Sequence, residues 1–225
     1  MFTKKLIVSL AIIGLMLSGP TMVLAGGDNN PTVLPPNAKP QGLTQGEWAA
    51  GFVKFLYDTP ASENPITGST GNQCVVKLVK NVALVLTNAA SSEPYHCSVP
   101  LGTKLVFPVG GPFCDTLSWP FPANEAELRD CVTTFYATDV QASIDGVDIE
   151  DVESHLVQSP LYTFTLPEGN IYGLPAGTSG QGMIRTHLLI FTPLPKGDHT
   201  LHFHSIYPEL GNYEENFTLQ IMVEP

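Results

Sequence analysis

His199-Thr200-Leu201-His202-Phe203-His204 alternates polar and apolar side chains with a period of two, the pattern of a strand wet on one side and packed on the other. Leu201 and Phe203 point to one face, His202 and His204 to the other. Phe217 to Val223 alternates in the same way, which assigns the Leu201 face to a core. Working outward, residues 74 to 79, 81 to 87, 95 to 99 and 103 to 109 are short Val-, Leu- and Phe-rich runs punctuated by Asn, Ser, Pro and Gly. Further strands are predicted at 160 to 166, 183 to 191, 199 to 206 and 214 to 223. Between 139 to 144 and 147 to 149 stands Asp145-Gly146, a dipeptide that favours the two-residue hairpin turn. Many short strands and 20 residues each of Gly and Pro predict a mainly β fold, an antiparallel β-sandwich of jelly-roll or Ig-like type.

Two short peripheral helices are expected to cap the ends of this sandwich. Thr44-Gln45-Gly46-Glu47 forms a capping box, and Trp48, Phe52, Phe55 and Leu56 follow on one helical stripe, predicting a helix from 45 to 57 that Pro60 ends. Asn124 to Glu127 repeats the capping logic, with Leu128, Cys131, Val132 and Phe135 beyond it, so a second helix falls between 124 and 136.

Ahead of the folded part, Lys4 and Lys5 precede an uncharged apolar run from Leu6 to Leu17, and Val23-Leu24-Ala25 suits a cleavage site. Residues 1–25 are therefore expected to be a signal peptide. Residues 26–43 are a Pro- and Gly-rich N-terminal arm, either a linker or a segment that hugs the surface, and 44–225 form a single β-sandwich domain. Cleavage near Ala25 removes two lysines and no acid, leaving 8 basic against 21 acidic residues and a formal charge of −13. Such a surface repels nucleic acid and anionic lipid. No later run is long enough for a transmembrane anchor. The expected location is secreted or periplasmic.

Four cysteines in an exported chain favour oxidation, with three connectivities open. Cys74 with Cys97 and Cys114 with Cys131 are the local closures, each contributing roughly 3 kcal/mol. A zinc site lacks the usual two-residue spacing.

Gly46-Glu47-Trp48, Asn64-Pro65, Thr67-Gly68 with Cys74, Cys97-Ser98-Val99-Pro100-Leu101-Gly102-Thr103, Ile144-Asp145-Gly146, Ser159-Pro160 and Pro193-Leu194-Pro195-Lys196-Gly197-Asp198-His199-Thr200-Leu201 occur in that order. Together they resemble a family of uncharacterised exported bacterial proteins, over most of the expected mature chain. The second cysteine pair and the Met183 to Phe191 strand depart from that pattern. The resemblance implies export, a Cys74–Cys97 disulfide and a β-rich fold, and no reaction.

Several constellations carry chemistry on paper. If Pro193 to Gly197 is a hairpin loop, His187 lies opposite His202, and Glu209 follows His204 by five residues. His187, His202, His204 and Glu209 then resemble the metal set of cupins, which would hold a divalent transition metal. The Gly197-to-His202 spacing is one residue short of that motif, and its second half is missing. The simpler reading is two His on a solvated strand face. Asp145, Asp148, Glu150, Asp151 and Glu153 offer oxygen ligands to Ca²⁺ but lack EF-hand spacing, so a solvated hairpin edge accounts for them better. Trp119, in Ser118-Trp119-Pro120-Phe121-Pro122, is a candidate ligand-binding residue on a stiff loop. The favoured reading for a large aromatic has that loop folded inward. Ser69 and Ser179 lack the nucleophile elbow, and Asn216-Phe217-Thr218 is a sequon inside a predicted strand. The expectation is an exported, non-catalytic binding or structural domain that needs no cofactor and meets an extracellular ligand or protein. The alternative is a metal-dependent cupin-like enzyme using His187, His202 and His204.

Overall fold

The computed structural model describes residues 33–68, 70–88 and 93–225. The expected signal peptide, the start of the arm and Ser69 lie outside the described residues. Twelve strands and two α-helices follow in chain order: α1 (Gln45–Asp58), β1 (Val75–Val79), β2 (Val82–Leu86), β3 (Tyr95–Pro100), β4 (Lys104–Val109), β5 (Phe113–Asp115), α2 (Glu125–Thr134), β6 (Thr138–Ile144), β7 (Val147–Asp148), β8 (Leu156–Gln158), β9 (Tyr162–Thr165), β10 (Ser179–Phe191), β11 (Gly197–Tyr207) and β12 (Tyr213–Glu224). Two sheets pack together, as the alternation requires. One runs β3-β12-β11-β6-β7. The other runs β1-β2-β4-β10-β5, with β8 and β9 also paired to β10. Each sheet is mixed, because β3 lies parallel to β12 and β2 parallel to β4 while the remaining pairings are antiparallel. These parallel pairs arise where the chain leaves the larger sheet after β2, adds β3 to the edge of the smaller one, and returns as β4.

The long strand β10 organises the larger sheet. His187 pairs with both Val109 of β4 and Leu156 of β8, so those strands flank it on opposite edges. Gly182 likewise pairs with Asp115 of β5 and Tyr162 of β9. On the first edge His187 faces Val109 and Ile184 faces Phe113, so the β4–β5 row carries one extra residue at Gly110-Gly111-Pro112. That is a β-bulge. It needs glycine: Gly110 and Gly111 have φ of 53° and 148°, and a Cβ on Gly111 would stand 2.2 Å from the Arg185 carbonyl oxygen.

The inter-sheet core is formed by Phe107, Leu189 and Phe191 of the larger sheet meeting Leu201, Phe203, Phe217 and Leu219 of the smaller. A second core lies on the outer face of the larger sheet. There α1 buries Trp48, Val53, Leu56 and Tyr57 against Leu84, Val106, Phe164, Leu188 and Ile190. The helix therefore roofs a sheet face and does not cap an end. A continuous apolar stripe on both faces of the sheet, such as Leu188-Leu189-Ile190-Phe191, requires that second cover. The expected capping box forms, with the Glu47 N–H donating to Thr44 Oγ1 and the Thr44 N–H to the Glu47 carboxylate. The described part of the arm hugs the surface. Leu34 donates to the Ile190 carbonyl, and the Trp48 indole N–H donates to the Pro40 carbonyl at 3.0 Å.

Under α2, Leu128, Cys131 and Val132 pack on Cys114 and Met183. Both local disulfides are present, Cys74–Cys97 and Cys114–Cys131. Beside the second, Asp115 is buried and its carboxylate accepts four hydrogen bonds: Tyr57 Oη at 2.8 Å, Tyr172 Oη at 2.7 Å, Ser118 Oγ at 2.8 Å and the Leu117 N–H at 2.7 Å. This carboxylate joins α1, the loop after β5 and the loop before β10.

Candidate functional site

The turn Asp145-Gly146 forms with φ of 52° and 76°, both positive as a type I′ turn demands. Asp145 also accepts from the Thr200 N–H at 2.8 Å and sits 2.7 Å from His199 Nδ1. Burial lowers the His199 pKa, but the Asp145 and Pro195 oxygens outweigh it and the net direction is upward. His202 and His204 lie on the outer face of β11 as alternation predicts. Each is tied across to β12, His202 Nε2 to Asn216 Oδ1 at 2.8 Å and His204 Nε2 to Glu214 at 2.9 Å.

The expected meeting of His187 with His202 is corrected. The segment from Pro193 to Gly197 is no hairpin loop. It carries the chain from β10 in the larger sheet to β11 in the smaller, so His187 belongs to one sheet and His202 and His204 to the other. His187 is buried beside Glu153, at 3.0 Å. Its neighbour is His155, whose pKa burial pushes down, with Asp151 opposing and His187 reinforcing. Glu209 falls in a 3₁₀ turn between β11 and β12. Among the described residues, no three His, Cys, Asp or Glu side chains come together as a metal-binding group.

Trp119 contradicts the inward-folded loop: it is 71% exposed, and Phe121 two residues on is 61% exposed. The Phe121 N–H donates to the Ser118 carbonyl at 2.6 Å and closes a turn that holds both rings outward. Trp119 leans on Phe135, with ring centroids 5.9 Å apart.

Phe135 also lines a hollow that leads away from Trp119, together with Pro112, Phe113, Tyr207, Leu210, Tyr213 and Glu215. Gly111, Phe113, Tyr207, Tyr213 and Glu215 are shared with an adjoining hollow of about 250 Å³ that reaches Phe52, Ile66, Ile184 and Thr186. The two form one groove at the open end of the sandwich. Its origin is the β11–β12 pairing. Reading inward-facing pairs along that hairpin, Leu201 meets Leu219, Phe203 meets Phe217, Ser205 meets Glu215 and Tyr207 meets Tyr213. The apolar core gives way to polar groups in the last two pairs, and the backbone of the glycine bulge lies close against Ser205.

The polar groups are connected. The Gly111 N–H donates to Tyr207 Oη at 2.8 Å, and Tyr207 Oη donates to Glu215 Oε2 at 2.8 Å. Ser205 Oγ reaches the same Oε2 at 3.3 Å. Glu215 Oε1 has no protein hydrogen-bond partner among the described residues. Burial raises the Glu215 pKa against the opposing effect of the Tyr207 and Ser205 hydrogen bonds, and it drives the Tyr207 hydroxyl well above its ordinary range. Glu215 is the only carboxylate, ammonium, guanidinium or imidazole side chain among the described residues lining either hollow. The signal for it was present in the sequence. The parity that sends Phe217, Leu219, Ile221 and Val223 inward puts Glu215 on the same side, half-buried, and Tyr213 beyond it at the exposed mouth, placing a carboxylate where the pattern calls for an apolar residue.

In comparisons with known proteins, no family model and no curated relative matches the chain. Among solved structures, similarity is found to the solution structure of amebosin, at 11% identity over 58% of this chain and 89% of that one, with a TM-score of 0.19. It is also found to a cysteine protease inhibitor, EhICP2, from Entamoeba histolytica, at 12% identity over 57% of this chain and 86% of that one, with a TM-score of 0.22. Scores this low carry no argument about fold or function. No helix among the described residues is long and apolar enough to cross a membrane, and the two disulfides fit an oxidising compartment, extracellular or periplasmic.

Proposed function

We propose that the chain is an exported, non-catalytic binding domain whose binding face is the open end of the sandwich. The observation that carries this reading is the groove walled by Phe113, Tyr207 and Tyr213, which runs past Phe135 to the exposed rings of Trp119 and Phe121. Contiguous exposed aromatics beside a concave site are what partner-binding surfaces use. Export is supported by the Lys4-Lys5 and apolar pattern of the first residues and by the disulfides. The binding reading is supported further by stiffness: α2, the Cys114–Cys131 disulfide and the Asp115 hydrogen bonds hold the groove's walls on a rigid frame.

The test is an NMR titration of ¹⁵N-labelled protein, purified after export, against two panels: blocked tripeptides and short malto- and chito-oligosaccharides. Tripeptides at millimolar concentration are expected to shift the amides of Phe113, Tyr207, Tyr213 and Glu215. Shifts from neither panel at these residues would remove the groove reading. Shifts from the sugars alone would replace a polypeptide partner with a glycan.

A further inference from the structure

Resting on that reading, we propose that the inner end of the groove is a subsite for a cationic side chain, arginine in preference to lysine, presented by an extended polypeptide partner. Three features place it there. The first is charge. Glu215 is the one charged group among described lining residues that are otherwise aromatic, aliphatic, glycine or uncharged polar (Thr87, Asn88, Thr186), with no Lys or Arg among them to neutralise it. An ionised carboxylate in such surroundings gains most from a fixed positive partner.

The second feature is the division of labour between its oxygens. Tyr207 and Ser205 both address Oε2, which fixes the carboxylate's orientation, while Oε1 keeps its acceptor capacity. Asp115 shows what this chain does with a carboxylate that serves only the fold. There both oxygens are used, by four donors. The third feature is the aromatic wall. Tyr207 and Tyr213 pair across the hairpin with centroids 6.1 Å apart, and Phe113 lines the opposite side. Faces of this kind attract a cation, and a planar guanidinium stacks on them better than an ammonium does.

Size and continuation argue for a polypeptide as the source. A hollow of about 250 Å³ suits one side chain, and the surface goes on past Leu210 and Phe135 to Trp119, where neighbouring residues of an extended partner would rest. The acidic balance of the chain, 21 acidic residues against 10 basic, favours the approach of a basic segment.

The experiment compares acetyl-Gly-Arg-Gly-amide with its citrulline counterpart, which keeps the shape and loses the charge, on the exported protein by the same NMR titration. The Arg peptide is expected to bind roughly tenfold more tightly, with the largest shifts at Tyr213, Glu215 and Gly111. The Lys peptide should fall between. Glu215→Gln is expected to erase the Arg–citrulline difference. On the unaltered protein, which needs no variant to fold, the difference should also shrink as the pH is lowered through the raised Glu215 titration. Tyr207 and Tyr213 are the other titratable groups lining the two hollows. Equal binding of Arg and citrulline peptides at the groove would overturn the cation subsite and leave the groove in place. Absence of groove shifts with every peptide would overturn the subsite and the polypeptide partner together.

Discussion

Two carboxylates, Asp115 and Glu215, each meet a tyrosine hydroxyl at 2.8 Å, and nearly everything else about them differs. Asp115 is enclosed between α1, the loop after β5 and the loop before β10, and four donors saturate it. Glu215 stands at the mouth of the inter-sheet core, is served on one oxygen only, and lines a groove. A buried charge is tolerated when every lone pair is answered, so the first arrangement serves the fold. The second leaves acceptor capacity unused and raises the group's pKa. That is a cost in stability with no structural return, the kind a binding site accepts.

Asp115→Ala tests this contrast with the largest expected effect. It removes the acceptor of two tyrosines, a serine and a backbone N–H inside the protein, and orphaned buried donors cost about 1 to 3 kcal/mol each before relaxation. We expect a loss of about 4 kcal/mol by urea unfolding. A loss under about 1 kcal/mol would mean that water replaces the carboxylate freely, and the two clusters would then be alike.

A finer comparison uses the two tyrosines. Tyr57→Phe deletes one donor to an enclosed carboxylate and should cost about 1 to 2 kcal/mol. Tyr207→Phe leaves Glu215 able to turn toward solvent and the Gly111 N–H, which lines the same groove, able to meet water there, and should cost less than about 1 kcal/mol. The reverse order would show that Glu215 is the more structural of the pair.

Glu215→Gln carries the opposite sign. A carboxyl whose folded pKa lies above its unfolded value, about 4.3, binds more protons folded than unfolded across that interval. Stability therefore falls as pH rises from the unfolded pKa through the folded one, and the penalty stays at neutral pH. Glutamine does not ionise, so the variant should be more stable than the parent by about half a kcal/mol at pH 7, with the gap closing below about pH 4. Thermal unfolding at both pH values measures this. A destabilised variant at pH 7 would place Glu215 with Asp115.

Much of this was legible in the sequence. Alternation in 199 to 206 and 214 to 223, the Asp145-Gly146 turn and the Thr44–Glu47 capping box all report local geometry, and each element formed within a few residues of its expected bounds. Strands β5 and β8 were not read. Each is three residues long with no periodicity of its own, and each pairs with β10 only across a break in its row. Burial of Trp48 by α1 packing on the sheet was legible, but the helix was also expected to cap an end, because a helical stripe says that something is covered and not which surface. The groove draws on α1, the β4–β5 bulge, β10, β11 and β12, segments separated by up to 165 positions between Phe52 and Phe217. No local pattern encodes that meeting. The histidines show the converse error, since His187 and His202 were placed together by assuming a hairpin where the chain changes sheets.

The smallest expected effect is the sharpest control, because Glu214 and Glu215 are neighbours on β12 with the same charge and opposite directions. Glu214 meets His204 at 2.9 Å on the outer face, where its side chain is 60% exposed. Exposed pairs of this kind contribute about 0 to 1 kcal/mol, because solvent screens them and two side chains must be ordered to make them. Glu214→Gln should therefore change stability by less than about 0.5 kcal/mol and leave the Arg–citrulline difference intact. Both variants remove one negative charge at nearly the same point along the strand, so general attraction of a basic peptide to an acidic protein would weaken equally in the two. Loss of discrimination in Glu215→Gln alone assigns it to the inward carboxylate and its aromatic walls. Equal loss in both would reduce the subsite to the field of an acidic surface, and the contrast between the open and the closed carboxylate would then concern stability alone.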